Sequence, residues 1–374
     1  MRTVLFLSAI TLQAALGAQC SSVETDQGSI GSAPYVVYMP SPSTCFNGDV
    51  IVFAHGYVPE GSPAGTWLSQ LFLPDGTSIP ALLNGYGFGF AASGFSADGL
   101  AIVQGMSDTA ALTAYVQSKT PVRKLFITGA SEGGLIATLL LEQNKLYDGG
   151  IAVCGPLGDF QKQINYFGDV RVLFDYFFPG VLSSAGGSAI NIPSQLMLGW
   201  TTVYEPAVVK ALNENPLATL QLISTAGIEI GLNYSNAVNA ITGALWYNVF
   251  ATNNAHTVLG GNPYDNSTRV YKGSLNDTRL NANVARFTEA NNIPIELTKN
   301  YDTTGLLKDP LVTLHTLADP VVPYWQEPLY TAKVQAEHSA SELAQIPVLA
   351  YGHCNVSSID ADAAVALLIL KAGL

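Results

Sequence analysis

Lys124-Leu125-Phe126-Ile127-Thr128-Gly129-Ala130-Ser131-Glu132-Gly133-Gly134-Leu135-Ile136 decides how this chain folds. The first five residues are a short apolar, β-prone run of the kind that forms a buried strand. From Gly133 to Gln143 the chain is apolar at almost every position and too long for a strand, so it reads as a buried helix. Between them stands Gly-x-Ser-x-Gly, with no residues to spare for a loop. The strand must turn directly into the helix. Flanking glycines let the two backbones approach, and the serine is left at a strained angle. Its hydroxyl then stands at the amino end of a helix, where the dipole favours a developing negative charge.

Working outward, the same alternation of apolar runs and helical periods recurs. Val50-Ile51-Val52-Phe53-Ala54 reads as a buried strand ending at His55-Gly56, and residues 87–93 as another. Ile102, Met106, Thr109, Leu112 and Val116 share one face of a helix over 100–119. Residues 150–154, 311–315 and 346–350 are further strands, and 361–371 a closing helix. This pattern predicts an α/β fold with a mostly parallel, doubly wound sheet. The alternation stops over 156–301, which is rich in aromatics, Asn and Leu, with helix-like stretches at 206–226 and 236–250. That segment is expected to be a helical cap inserted after the sixth strand, lying over the carboxyl edge of the sheet. Residues 19–155 and 302–374 then make the core.

A serine nucleophile needs a base, and the base an orienting acid. His353 lies just beyond the strand at 346–350, and Asp319 just beyond the strand at 311–315. Both fall at strand carboxyl ends, and the order serine, acid, histidine is the one this architecture uses. Competing residues are worse placed. His315 lies inside its strand as a packed core histidine, and His256 and His338 fall in the insertion and in a helix. Asp309 precedes its strand, and Asp302 is the rival acid. The backbone N–H groups of Glu132, after the serine, and Tyr57, after an early strand, are the expected oxyanion donors. His55 braces that loop.

Composition bounds the rest. The 374 residues are 48% apolar and 12% charged, with a formal charge of −12, so a large core is expected and nucleic-acid binding is excluded as a default. No uninterrupted apolar run is long enough to span a membrane. The run at 361–371 carries Lys371 and lacks the polar spacer of a lipid-anchor signal. No phosphate loop or zinc spacing appears, so no cofactor and no metal are expected. Arg2, an apolar stretch over 4–15 and small residues at 15–18 read as a signal peptide over 1–18, hence a secreted protein. Four cysteines, Cys20, Cys45, Cys154 and Cys354, suit an oxidising compartment, with Cys20 and Cys45 close in sequence. Asn233, Asn266, Asn276 and Asn355 each begin an N-x-Ser/Thr triplet and are candidate glycan acceptors.

His55-Gly56-Tyr57, Gly129-Ala130-Ser131-Glu132-Gly133, Asp319-Pro320-Val321-Val322-Pro323 and Tyr351-Gly352-His353 together resemble the α/β-hydrolases. The resemblance spans nearly the whole mature chain outside the insertion. It implies Ser131 as nucleophile, His353 as general base and Asp319 as its orienting carboxylate. More narrowly, the chain looks like secreted esterases and lipases with a large cap. Thr313-Leu314-His315 through Pro323 also resembles prolyl-oligopeptidase-type hydrolase domains. A fungal tannase and feruloyl esterase family bridges cysteines placed directly before the serine and after the histidine. Here Cys354 follows His353, but Ala130 precedes Ser131, and a Cys154–Cys354 bridge is expected to staple the histidine from the neighbouring strand. The function expected is hydrolysis of small, apolar or aromatic carboxylic esters, with cap aromatics such as Tyr166, Phe174, Trp200 and Tyr247 lining part of the pocket. The alternatives are a serine peptidase and a non-hydrolytic use of the fold, as a metabolite cyclase or lyase or a binding scaffold.

Overall fold

Eight strands form a single sheet in the computed structural model, which describes residues 22–143 and 146–373. They are β1 (Ser22–Ile30), β2 (Ala33–Ser41), β3 (Asp49–Ala54), β4 (Gly89–Ser93), β5 (Lys124–Ala130), β6 (Gly150–Val153), β7 (Leu311–Ala318) and β8 (Leu343–Tyr351). The spatial order is β1-β2-β4-β3-β5-β6-β7-β8. β2 runs antiparallel to β1 and β4, and every pair from β4 to β8 is parallel. The sheet is therefore mostly parallel, with helices on both faces, and its order and connectivity are those of the α/β-hydrolase fold.

Among the described residues, twelve α-helices accompany it. α1 (Ile79–Gly85), α2 (Ile102–Lys119) and α3 (Glu132–Gln143) connect the first parallel strands. Between β6 and β7 come α4 (Phe160–Phe177), α5 (Ser194–Leu198), α6 (Glu205–Glu214), α7 (Pro216–Ala226), α8 (Ala237–Leu259), α9 (Asp277–Asn283) and α10 (Ile293–Asn300). α11 (Gln326–Ala336) follows β7, and α12 (Ser358–Lys371) closes the chain behind a capping box formed by Ser357 and Asp360. α2 and α3 cover one face of the sheet around Ile102, Leu112, Leu135 and Leu139. α1 and α12 cover the other, around Ile51, Phe53, Leu83 and Val365.

The helices between β6 and β7 bury a core of their own, including Val170, Phe174, Trp200, Leu222 and Leu245. They meet the loops at the carboxyl ends of the sheet through three tyrosines. Tyr57 donates to the Phe250 carbonyl (3.1 Å), Tyr166 to that of Pro320 (2.7 Å), and Tyr351 to that of Asn236 (3.2 Å).

Several sequence expectations are corrected. The single stretch at 206–226 is two helices, because Pro216 removes a backbone donor and restricts Asn215 to a non-helical angle. The stretch at 236–250 continues to Leu259, and α4 and α11 lie outside the helical stretches expected from periodicity. So does the β1–β2 hairpin lie outside the expected strands; its first strand, Ser22–Ile30, is polar and almost wholly exposed. His338 lies past the end of α11 in a left-handed turn, not in a helix. Of the four candidate glycan acceptors, Asn266 is the one whose side chain is enclosed. It is 1% exposed, and its amide donates to Tyr271 Oη and the Ala285 carbonyl. Asn233 and Asn276 are exposed, and each uses its Oδ1 to cap a helix. Asn355 is exposed too, donating to the Tyr351 carbonyl. The signal segment 1–18 and Cys20 lie outside the described residues, while Cys45 is disulfide-bonded. Among the described residues no helix is long and apolar enough to cross a membrane.

Candidate active site

Ser131 connects β5 directly to α3 and sits at φ +57°, in the left-handed region. A serine is held there because the elbow around it is bonded on every side. Its N–H donates to the Val153 carbonyl on β6 (2.8 Å), and its own carbonyl accepts from Gly134 (2.9 Å), starting the helix. The glycines at 129 and 133 are required by contact. A Cβ on Gly129 would stand 2.1 Å from the Gly133 carbonyl oxygen, and one on Gly133 would stand 2.0 Å from that of Ala54. Any side chain at either position would drive β3, β5 and α3 apart.

Three residues remote in sequence meet at this turn. His353 Nε2 lies 2.8 Å from Ser131 Oγ, and Nδ1 lies 2.8 Å from Asp319 Oδ2. Asp319 is fully buried, and its other oxygen accepts from the N–H groups of Val321 and Val322 at 2.8 and 2.9 Å. An ionised carboxylate only accepts, so the Nδ1 facing it carries the proton. Nε2 is then free to accept from the serine hydroxyl. Asp302 takes no part, since its Oδ1 lies at the Phe160 N–H.

Behind Asp319, His315 is fully buried, with Nε2 2.8 Å from the Val322 carbonyl and Nδ1 3.2 Å from Glu327 Oε1. Both neighbours are acceptors, so the ring satisfies both only as an imidazolium. Burial opposes that charge, but Glu327 and Asp319 outweigh it, and the His315 pKa is raised. His315 Nε2 also lies 3.8 Å from Asp319 Oδ2, so the ring packs directly behind the acid. No local pattern signals this pair, because Glu327 lies twelve residues away on α11, a helix without a periodic signature.

The loop after β3 closes over the serine. Gln70 holds it at both ends. Its Oε1 accepts from Gly56 N–H at 2.6 Å, and its Nε2 donates to the Gly56 and Tyr57 carbonyls at 3.4 and 3.3 Å. Sequence reasoning misses this residue, since no local pattern links position 70 to position 56. His55 packs on Phe95, with ring centroids 3.9 Å apart, and burial lowers its pKa to about 4, so it is a neutral brace for the loop. Among the described residues, no hydrogen bond is formed by the N–H groups of Tyr57 and Glu132, the two expected oxyanion donors. The Glu132 side chain points elsewhere. Its Oε1 accepts from Ala101 N–H at 2.8 Å, and burial raises its pKa to about 8.

Cys154, at the end of β6, is bonded to Cys354 across a sequence separation of 200 residues. Cys354 immediately follows His353, so the bridge ties the histidine loop to the strand beside the serine. Cys154, His353 and Cys354 would otherwise be a cluster of metal-type ligands, but both sulfurs are consumed in the disulfide. A cleft of about 370 Å³ opens beside Ser131 and His353. Of the aromatics expected to line it from the helical segment, only Tyr247 does so; Tyr166, Phe174 and Trp200 are the packed core of that segment.

No protein-family model matches this sequence, and no curated protein sequence matches it. Solved structures similar to the chain include an acylaminoacyl peptidase from Pyrococcus horikoshii, at 14% identity and a TM-score of 0.43, over 89% of this chain and 38% of that one. An esterase from Pyrococcus furiosus is 11% identical with a TM-score of 0.47, over 94% and 91% of the two chains. A rice cell wall degrading esterase from Xanthomonas oryzae is 14% identical with a TM-score of 0.46, over 97% and 91%. The chain spans about two fifths of the length of the acylaminoacyl peptidase, 38%.

Proposed function

We propose that this protein is a secreted serine hydrolase acting on carboxylic esters. The observation that carries the proposal is the pair of 2.8 Å contacts on opposite nitrogens of His353, one to Ser131 Oγ and one to Asp319 Oδ2. The bridge between Cys154 and Cys354 supports secretion, since such bonds persist in oxidising compartments.

Ser131 Oγ attacks the ester carbonyl carbon while its proton passes to His353 Nε2. The carbonyl oxygen becomes an oxyanion held by the Tyr57 and Glu132 N–H groups, at the amino end of α3. The C–O bond to the alcohol then breaks, and the alcohol leaves with the proton from Nε2. Water attacks the acyl-serine, gives a proton to Nε2, and Ser131 departs by taking that proton back. Asp319 keeps its place throughout, fixing the tautomer and stabilising the transient imidazolium.

Intact-mass labelling with a small fluorophosphonate tests this. One adduct per chain is expected on the wild type and none on Ser131→Ala. Folded wild-type protein that takes up no label would overturn the proposal. A matched panel of aryl esters and anilides then separates ester from amide hydrolysis.

A further inference from the structure

We propose that the cleft beside Ser131, between the sheet and helices α1 and α12, receives an unbranched acyl chain. The preferred ester would then be that of a medium- to long-chain fatty acid. The inference rests on the hydrolase reading and adds the acyl side of the substrate.

Strand register sets the direction of the cleft. Ile51 and Phe53 on β3, Thr128 and Ala130 on β5, Ile151 on β6 and Leu314 on β7 all line it. Phe53 pairs with Thr128, Thr128 with Ile151, and Ile51 with Phe126, so these side chains share one face of the sheet. From Ser131 down to the level of Ile51 is five residues along β5, or about 16 Å. The opposite wall is Ile79, Leu82 and Leu83 of α1 and Ala361, Ala364 and Val365 of α12. The cleft therefore descends beside the nucleophile into the body of the α/β fold, away from the helical segment, whose only lining residue is Tyr247.

The lining is selective in its chemistry. Gln70, Ser131 and His353 lie at the reacting end, and no Asp, Glu, Lys or Arg lines the cleft. Nothing there would pair with a second carboxylate or a charged substituent. A chain ending in methyl fits. Protein interiors are close-packed, and open apolar volume is destabilising. An apolar cleft of about 370 Å³ touching the nucleophile, its walls mostly aliphatic with Phe53, Tyr57, Phe72 and Tyr247 among them, is thus space kept for a ligand. At roughly 30 Å³ for a group the size of a water, it holds about a dozen methylenes.

The test is kcat/KM across p-nitrophenyl esters from acetate to dodecanoate, on wild type, Ala361→Trp and Leu82→Trp. Each methylene fully buried is worth about fourfold, so a rise of at least about 100-fold from acetate to decanoate is expected. Either tryptophan should lower the decanoate-to-acetate ratio at least tenfold. A wild-type ratio near one, or a ratio unmoved in both folded variants, would overturn the acyl cleft while leaving the hydrolase intact. If no ester is turned over and fluorophosphonate does not label, the hydrolase reading fails instead. The cleft is then judged by calorimetric binding of decanoate to the wild-type protein. Saturable binding weakened at least tenfold by Ala361→Trp supports it, and no binding overturns it.

Discussion

Ser131 occupies a backbone angle that serine ordinarily avoids, and nothing in its own side chain keeps it there. The bonds to Val153 and Gly134 do so, at a cost of order 1–3 kcal/mol that the surrounding packing must offset. Two neighbouring side chains act on the site in opposite ways. Gln70 clamps the loop that carries the Tyr57 N–H. Gln70→Ala should lower kcat about 10- to 100-fold with KM little changed, measured on p-nitrophenyl butyrate, because a displaced oxyanion donor matters only in the transition state. Glu132 has the opposite effect, as a liability. Its folded pKa is about 8 against 4.5 for a free glutamate, so between those pH values unfolding releases a proton. The contribution of Glu132 to stability then falls as pH rises from about 4.5 to 8, by about 1.4 kcal/mol per unit, and levels off above. Glu132→Gln keeps the acceptor for Ala101 and has no charge to bury. Urea melts should show it close to wild type at pH 4.5 and more stable at pH 9; equal stability at both would mean that Glu132 does not titrate in that window.

At the scale of elements, the elbow is a three-way contact of β3, β5 and α3. Gly133 faces the Ala54 and His55 carbonyls, at 2.0 and 2.5 Å from a Cβ built on it. Both are backbone atoms and have no rotamer to retreat into. Gly133→Ala should therefore cost about 3 kcal/mol or more, the upper range for overpacking, and also disturb the loop carrying Tyr57. A denaturant midpoint within error of wild type would show that α3 can shift without penalty. By contrast, Gly227, past α7, has only open space around it, and its requirement is the left-handed angle alone.

Across the whole molecule, the Cys154–Cys354 bridge closes a separation of 200 residues that includes the entire helical segment. Chain-entropy reasoning assigns such a loop about 5 kcal/mol of stabilisation. It also anchors the loop bearing His353. The Cys154→Ser/Cys354→Ser double variant should unfold at lower urea, and it should lose activity at urea concentrations where its far-UV signal is still native. Coincident loss of activity and structure would limit the bridge to a purely global role.

The sequence by itself determined the alternation of strand and helix, the strand-turn-helix around Ser131, and the positions of Asp319 and His353 just past strand ends. These follow from local periodicity and from glycine, whose meaning is fixed within a few residues. It did not disclose β1, because an exposed edge strand such as Ser22–Ile30 carries no hydrophobic alternation. Nor did it show the buried Asn266, a triplet indistinguishable in sequence from the exposed ones. Only the tertiary structure decided that Gln70 grips Gly56, that Glu327 faces His315, and that the apolar cleft lies against α1 and α12 while the aromatics of the helical segment pack on one another. Each of these depends on side chains from separate elements arriving at one place, and a one-dimensional pattern records which face a residue presents but not what will be opposite it.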